Sequence, residues 1–143
     1  MALHMIKLCV GCDTVEELVD WWRARGSGDG IETVNGRAWT LRTRQTPKRA
    51  AEMVEGGSLY RVFKGFVLCR QRILAVDTVG TGPATRCELA LDPQIVLTAP
   101  MPRRPFQGWR YLEAKDAPGD LQAFGEEAVP QQLAKQLREL GAW

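Results

Sequence analysis

The alternation of apolar and polar positions changes period several times along this chain. Residues 3–10 form a short apolar run around Ile6 and Val10, closed by Gly11, and predict a strand. Val15, Leu18, Val19 and Trp22 then recur at helical spacing and predict a helix with one apolar stripe. Thr14, with Glu17 three residues on, makes a capping box at its start. Asp13 and Glu16 add negative charge where the helix dipole is positive. The helix should stop near Arg25, before the glycine-rich loop at 26–30.

At residues 37–43 the period becomes two. Trp39, Leu41 and Thr43 face one way, and Thr40, Arg42 and Arg44 the other. Thr46 predicts the N-cap of a short second helix, with Pro47 at its first position and Ala50, Met53 and Val54 on its buried face. Gly56 and Gly57 end it. Residues 58–63 and 66–76 read as two strands joined by a tight hairpin at Lys64 and Gly65. After a turn at 80–83, residues 85–91 and 94–98 form another pair, interrupted at Asp92 and Pro93. Three prolines in 100–105 exclude an interior strand there. Phe106, Trp109 and Tyr111 add aromatic bulk, and Pro130 opens a terminal helix with Leu133, Leu137 and Leu140 on one side. This order predicts an α+β protein: a small, curved, mostly antiparallel sheet or barrel with flanking helices.

Length and composition narrow the class. A chain of 143 residues suits one domain, 1–143, and can bury a core without metal or disulfide. No apolar run approaches the roughly 18–20 residues of a membrane span, and no cationic leader precedes the first strand. A cytoplasmic protein with free thiols is the expectation, with Cys69 and Cys87 as small core hydrophobes. The net charge of +2 conceals an asymmetry: residues 37–72 hold nine Lys and Arg against two Glu. Such clustering points to an anionic partner.

Two features carry candidate chemistry. Lys48 and Arg49 fall in the predicted first turn of the second helix, where the dipole disfavours cations, and Arg44 precedes them. Places that break a local stability rule are often functional, so this is a candidate anion site. A solvated helix with Lys48 paired to Glu52 is the bland alternative. Arg70 and Arg72 lie inside the long strand at 66–76, on a face otherwise apolar. Either they line a cleft or a bulge turns them outward. With Arg42, Arg44, Thr46, Lys48 and Arg49 they predict one basic groove, and Trp39, Tyr60, Trp109 and Tyr111 are candidate stacking surfaces for bases.

Other chemistries have weaker support. Cys9 and Cys12 form one Cys-x-x-Cys with His4 before it and no second cluster, too few ligands for zinc. Cys9 lies five residues outside the helix cap, against a redox thiol. His4 is the only histidine, and neither a nucleophile elbow nor a phosphate loop is present.

The segments HMIKLCVG at 4–11, TPKRA at 46–50, GGSLY at 56–60, Lys64-Gly65, RQR at 70–72 and PFQGWRYL at 105–112 resemble the bacterial domain-of-unknown-function family 1489. That resemblance runs nearly end to end and implies no activity. A short helix ending in Gly-Gly before a basic hairpin is similar, at the level of fold, to the PUA-like superfamily with its ASCH and EVE branches. It implies a small barrel that binds RNA or a modified nucleotide. The resulting expectation is non-catalytic binding of RNA or a nucleotide, with no cofactor and no metal. The alternatives are a modified-nucleoside hydrolase using Lys48 or Thr46 with Glu88, and a module docking an acidic protein.

Overall fold

A computed structural model describes residues 2–25 and 32–123; the expected loop at 26–30 and the terminal helix after Pro130 lie outside the described residues. In chain order the elements are β1 (Leu3–Leu8), α1 (Val15–Arg25), β2 (Glu32–Thr33), β3 (Gly36–Arg37), β4 (Trp39–Thr43), α2 (Ala50–Val54), β5 (Ser58–Phe63), β6 (Phe66–Val79), β7 (Arg86–Leu91), β8 (Val96–Pro102), β9 (Trp109–Glu113) and β10 (Asp120–Ala123). Single 3₁₀ turns occupy Gly82–Ala84 and Ala114–Asp116. The protein is α+β. Eight strands form one mixed, mostly antiparallel sheet that is not closed into a barrel, and β2 with β3 forms a separate small hairpin.

β6 organises the sheet. Its first half pairs with β5 and β8, and its second half pairs with β7. The sheet continues from β5 to β1, the one parallel pair, and from β1 to β9. On the other flank β8 pairs with β10 and β7 with β4. Among the described residues β9, β4 and β10 are therefore edge strands.

The predicted helix start is present: Glu17 N–H donates to Thr14 Oγ1 at 3.0 Å, and Asp13 N–H to Glu17 Oε2 at 3.0 Å. Val15, Leu18 and Val19 pack into the main core with Leu3, Met5, Leu59, Leu89 and Leu91. Trp22 stacks on Trp39 with ring centroids 4.7 Å apart, an aromatic pair worth about 0.5–1.5 kcal/mol beyond its buried area. A smaller core on the opposite sheet face gathers Ile6, Tyr60, Val62, Val67 and Leu112. Cys69 and Cys87 are buried in the main core.

Two expectations about the second helix need correction. The second helix begins at Ala50, not after Thr46, and Arg49 occupies the cap position without a side-chain cap bond. Thr46 Oγ1 instead meets Thr78 Oγ1 at 2.8 Å, so Lys48 and Arg49 precede the helix. The aromatic segment after Phe106 forms β9, and β8 runs through Pro100 and Pro102. That extension is an edge: β10 pairs only with Val96, Leu97 and Thr98, so the prolines sit where a missing N–H is tolerated.

The end of α2 depends on two glycines. Gly56 has φ +96°, the left-handed conformation that glycine adopts without cost, and Gly57 N–H donates to Met53 O at 2.8 Å. A Cβ on Gly57 would overlap the backbone carbonyl oxygens of Leu3 and Met53, neither of which can swing aside. Gly57→Ala should therefore lower stability by about 1–3 kcal/mol, measured as a reduced urea midpoint with unchanged slope.

Candidate functional site

A cluster of cations lies between two of the edge strands, β4 and β9. A cavity of about 820 Å³ opens between the end of β4 and β9. Arg42, Arg44 and Gln45 form one wall, Trp109 and Arg110 the other, and Lys7 the floor. Arg86 and Gln107 complete its rim, and no carboxylate belongs to its described lining. Trp109 Nε1–H donates to Gln45 O at 2.9 Å, which ties the two walls together at one point. Among the described residues Arg42 is the one wall cation with an acidic partner: its Nε lies 3.0 Å from Glu88 Oε2, its register neighbour on β7. Arg86 and Arg110 donate, among the described residues, to backbone carbonyls, and Arg110 also stacks on Phe106 at 5.4 Å.

Of the eight residues expected in a basic groove, Arg42, Arg44 and Trp109 line this cavity, and the other five do not. Lys48 is exposed on the turn before α2. Arg49 pairs with Glu52 at 2.6 and 2.8 Å and lies over the Tyr111 ring at 5.8 Å. Arg70 is held by both carboxylate oxygens of Asp120, each at 2.7 Å, and by Ser58 Oγ at 2.9 Å. Arg72 is exposed. A register shift between Val67 and Cys69 explains the last two. Leu68 and Cys69 both enter the main core, so the phase slips and Gln71 points inward while Arg70 and Arg72 point outward.

The cations that sequence reasoning missed are Lys7, Arg61, Arg86 and Arg110. The first two carried a legible signal. Lys7 shares strand parity with Leu3 and Met5, and Arg61 with Leu59 and Phe63, so both were due to face the core. They do. Trp109, Lys7, Arg61, Cys69 and Leu97 are successive register partners across β9, β1, β5, β6 and β8, a row running from the groove into the core. Arg61 is only 7% exposed; its Nε–H donates to Gln71 Oε1 at 3.0 Å, and Gln71 Nε2 donates to Asp92 O at 3.0 Å. Among the described residues neither Lys7 nor Arg61 has a carboxylate within ion-pair distance. Burial, then the Arg61 charge beside it, push the Lys7 ammonium below its ordinary value.

The cysteines are poorly placed for chemistry. Burial pushes the Cys9 thiol up to about 12 although Arg61 opposes it, leaving the thiol protonated and weakly nucleophilic. Among the described residues no three His, Cys, Asp or Glu side chains converge as metal ligands would. No described helix is long and apolar enough to cross a membrane.

The geometry thus defines an α+β protein whose curled sheet leaves a cationic groove between two of its edge strands, β4 and β9. Residues 5–143 match the family described as Protein of unknown function (DUF1489), and the chain belongs to that family. Neither a curated protein nor a solved structure matches it.

His4, on the opposite sheet face, accepts a hydrogen bond at Nδ1 from Ser58 N–H at 3.0 Å and meets the Tyr60 ring edge-on at 5.0 Å. Burial first, then the Arg70 charge, lower its pKa, and Asp120 only partly opposes them. The unfolded chain therefore takes up the proton first as pH falls. The stability His4 contributes is complete above the unfolded value of about 6.5 and declines as pH drops below it toward the lowered folded value. Because this is the sole histidine, the urea midpoint should fall between pH 7.5 and 5.5, and His4→Gln should flatten that dependence.

Proposed function

We propose that the protein binds a phosphate-bearing ligand, RNA or a nucleotide, in the groove between β4 and β9, and that it does so without catalysing a reaction. The observation that carries this reading is the lining of that groove: Lys7, Arg42, Arg44, Arg86 and Arg110 converge there with no carboxylate in the described lining. Cations gathered at such a cost in mutual repulsion are explained by an anion that relieves it. Trp109 on the same wall offers a ring on which a base can stack. The likeness to the PUA-like fold belongs to this proposal too; what supports it is the curled sheet and the α2–Gly-Gly–hairpin succession. A cytoplasmic location agrees with such a ligand.

The hydrolase alternative has less behind it. Thr46 is engaged with Thr78, Glu88 neutralises Arg42, and neither they nor Lys48 line the groove. An acidic protein partner would need a flat basic face, whereas these cations surround a cavity.

Phosphate binding releases counterions, with a slope of log K against log salt of about −0.7 per contact for single strands. With Arg42 largely neutralised, about four groove cations remain, and the slope for a single-stranded RNA should be about −3. Fluorescence anisotropy with labelled RNA at several salt concentrations measures it. Arg44→Ala should reduce the slope by up to about one contact, and Arg72→Ala should leave it unchanged. Equal loss from both substitutions would move binding out of the groove, and no binding at about 50 mM salt would end the RNA reading.

A further inference from the structure

Lys7 lines a second cavity as well as the groove. It lies between β1, β4 and α1 and has a volume of about 180 Å³. Leu18, Leu41 and Leu91 and the stacked Trp22–Trp39 pair make it largely apolar. A cavity of about 150 Å³ accommodates a benzene ring, so this one has room for one planar ring system. Its most buried polar lining residue is Arg61.

The cost of placing Arg61 there is high. A buried guanidinium without a carboxylate is destabilising by several kcal/mol, and a residue such as Met would pack the same space more favourably. Gln71 accepts from Nε, and Gln71 is itself anchored on Asp92 O, so the guanidinium plane is oriented as well as buried. Arginine offers donors only. A planar, oriented donor fork in the lining of an apolar slot is suited to a ring edge that presents two adjacent hydrogen-bond acceptors. It disfavours an edge that presents an amino group, because two donors would then face each other.

We propose that this inner cavity is the base subsite of the same ligand, and that Arg61, positioned by Gln71, selects guanine, whose O6 and N7 offer two adjacent acceptors, over adenine, which sets an amino group beside N7. The inference rests on the groove reading for the phosphate: the row Trp109, Lys7, Arg61 leads from the groove to the cavity, with Lys7 between phosphate and base.

The test separates the two subsites by using nucleosides for the cavity and inorganic pyrophosphate for the groove. Calorimetric titration of the full chain with guanosine and adenosine should show guanosine binding at least about fivefold tighter, the lower end of what one bidentate arginine contact contributes against the wrong base. Arg61→Met should fold with an equal or higher melting temperature, lose that preference, and keep pyrophosphate affinity within about twofold. Cys12→Phe, which fills the cavity from its rim, should abolish nucleoside binding and leave pyrophosphate binding intact, and it serves if Arg61→Met does not fold. Guanosine and adenosine binding alike, or neither binding, would overturn the base subsite whatever pyrophosphate does. Guanosine binding in preference to adenosine with no affinity for pyrophosphate or RNA would leave the base subsite standing and remove the groove reading.

Discussion

β6 is fourteen residues long, and none of its partners matches that length. It can satisfy its backbone groups only by sharing them among β5, β8 and β7, and it must bend where the partner changes. Register shifts at Val67/Cys69 and at Ile73/Ala75 supply that bend. Between the shifts the strand holds one phase, with Cys69, Gln71 and Ile73 inward. The inward glutamine then orients the inward arginine of β5. The curl that follows brings β4 and β9 to opposite sides of one cavity, and that cavity holds the candidate site.

The distribution of charge follows from the same geometry. The outward cations of β6 and of the segment before α2 that have partners are Arg70, held by Asp120, and Arg49, held by Glu52. The inward ones find none among the described residues. Lys7 and Arg61 are side by side on parallel strands, in register, where two like charges raise each other's free energy. An arrangement that is unfavourable in the empty protein, and that an anion or an acceptor-rich ring would relieve, is the expected form of a binding site rather than of a stabilising network.

The basic segment at 37–72 illustrates how one-dimensional charge counting misleads. Nine cations in that stretch suggested a single surface, yet they divide among at least three environments: the groove for Arg42 and Arg44, the core for Arg61, the outer face for Arg70 and Arg72. Proximity in sequence places successive strand residues on opposite faces, so a run of basic residues is dispersed by the pleat before folding begins. The groove instead recruits Lys7, Arg86 and Arg110, which lie far from that segment in the chain.

By itself the sequence determined the elements whose signals are local. The Thr14 cap, the apolar stripe of α1, the Gly-Gly end of α2 and the Lys64–Gly65 hairpin all rest on contacts within a few residues. It also determined that Lys7 and Arg61 must face the core, because strand parity alone decides that. Tertiary structure decided what parity cannot. The bulges in β6 reset the inward phase around Gln71, and the N-cap expected at Thr46 gave way to a contact with Thr78, thirty-two residues on. The pairing of β9 with β1 set Trp109 beside Lys7. Each depends on which distant strand supplies the hydrogen bonds, and that choice is made by the energy of the whole sheet, which no short window of residues contains.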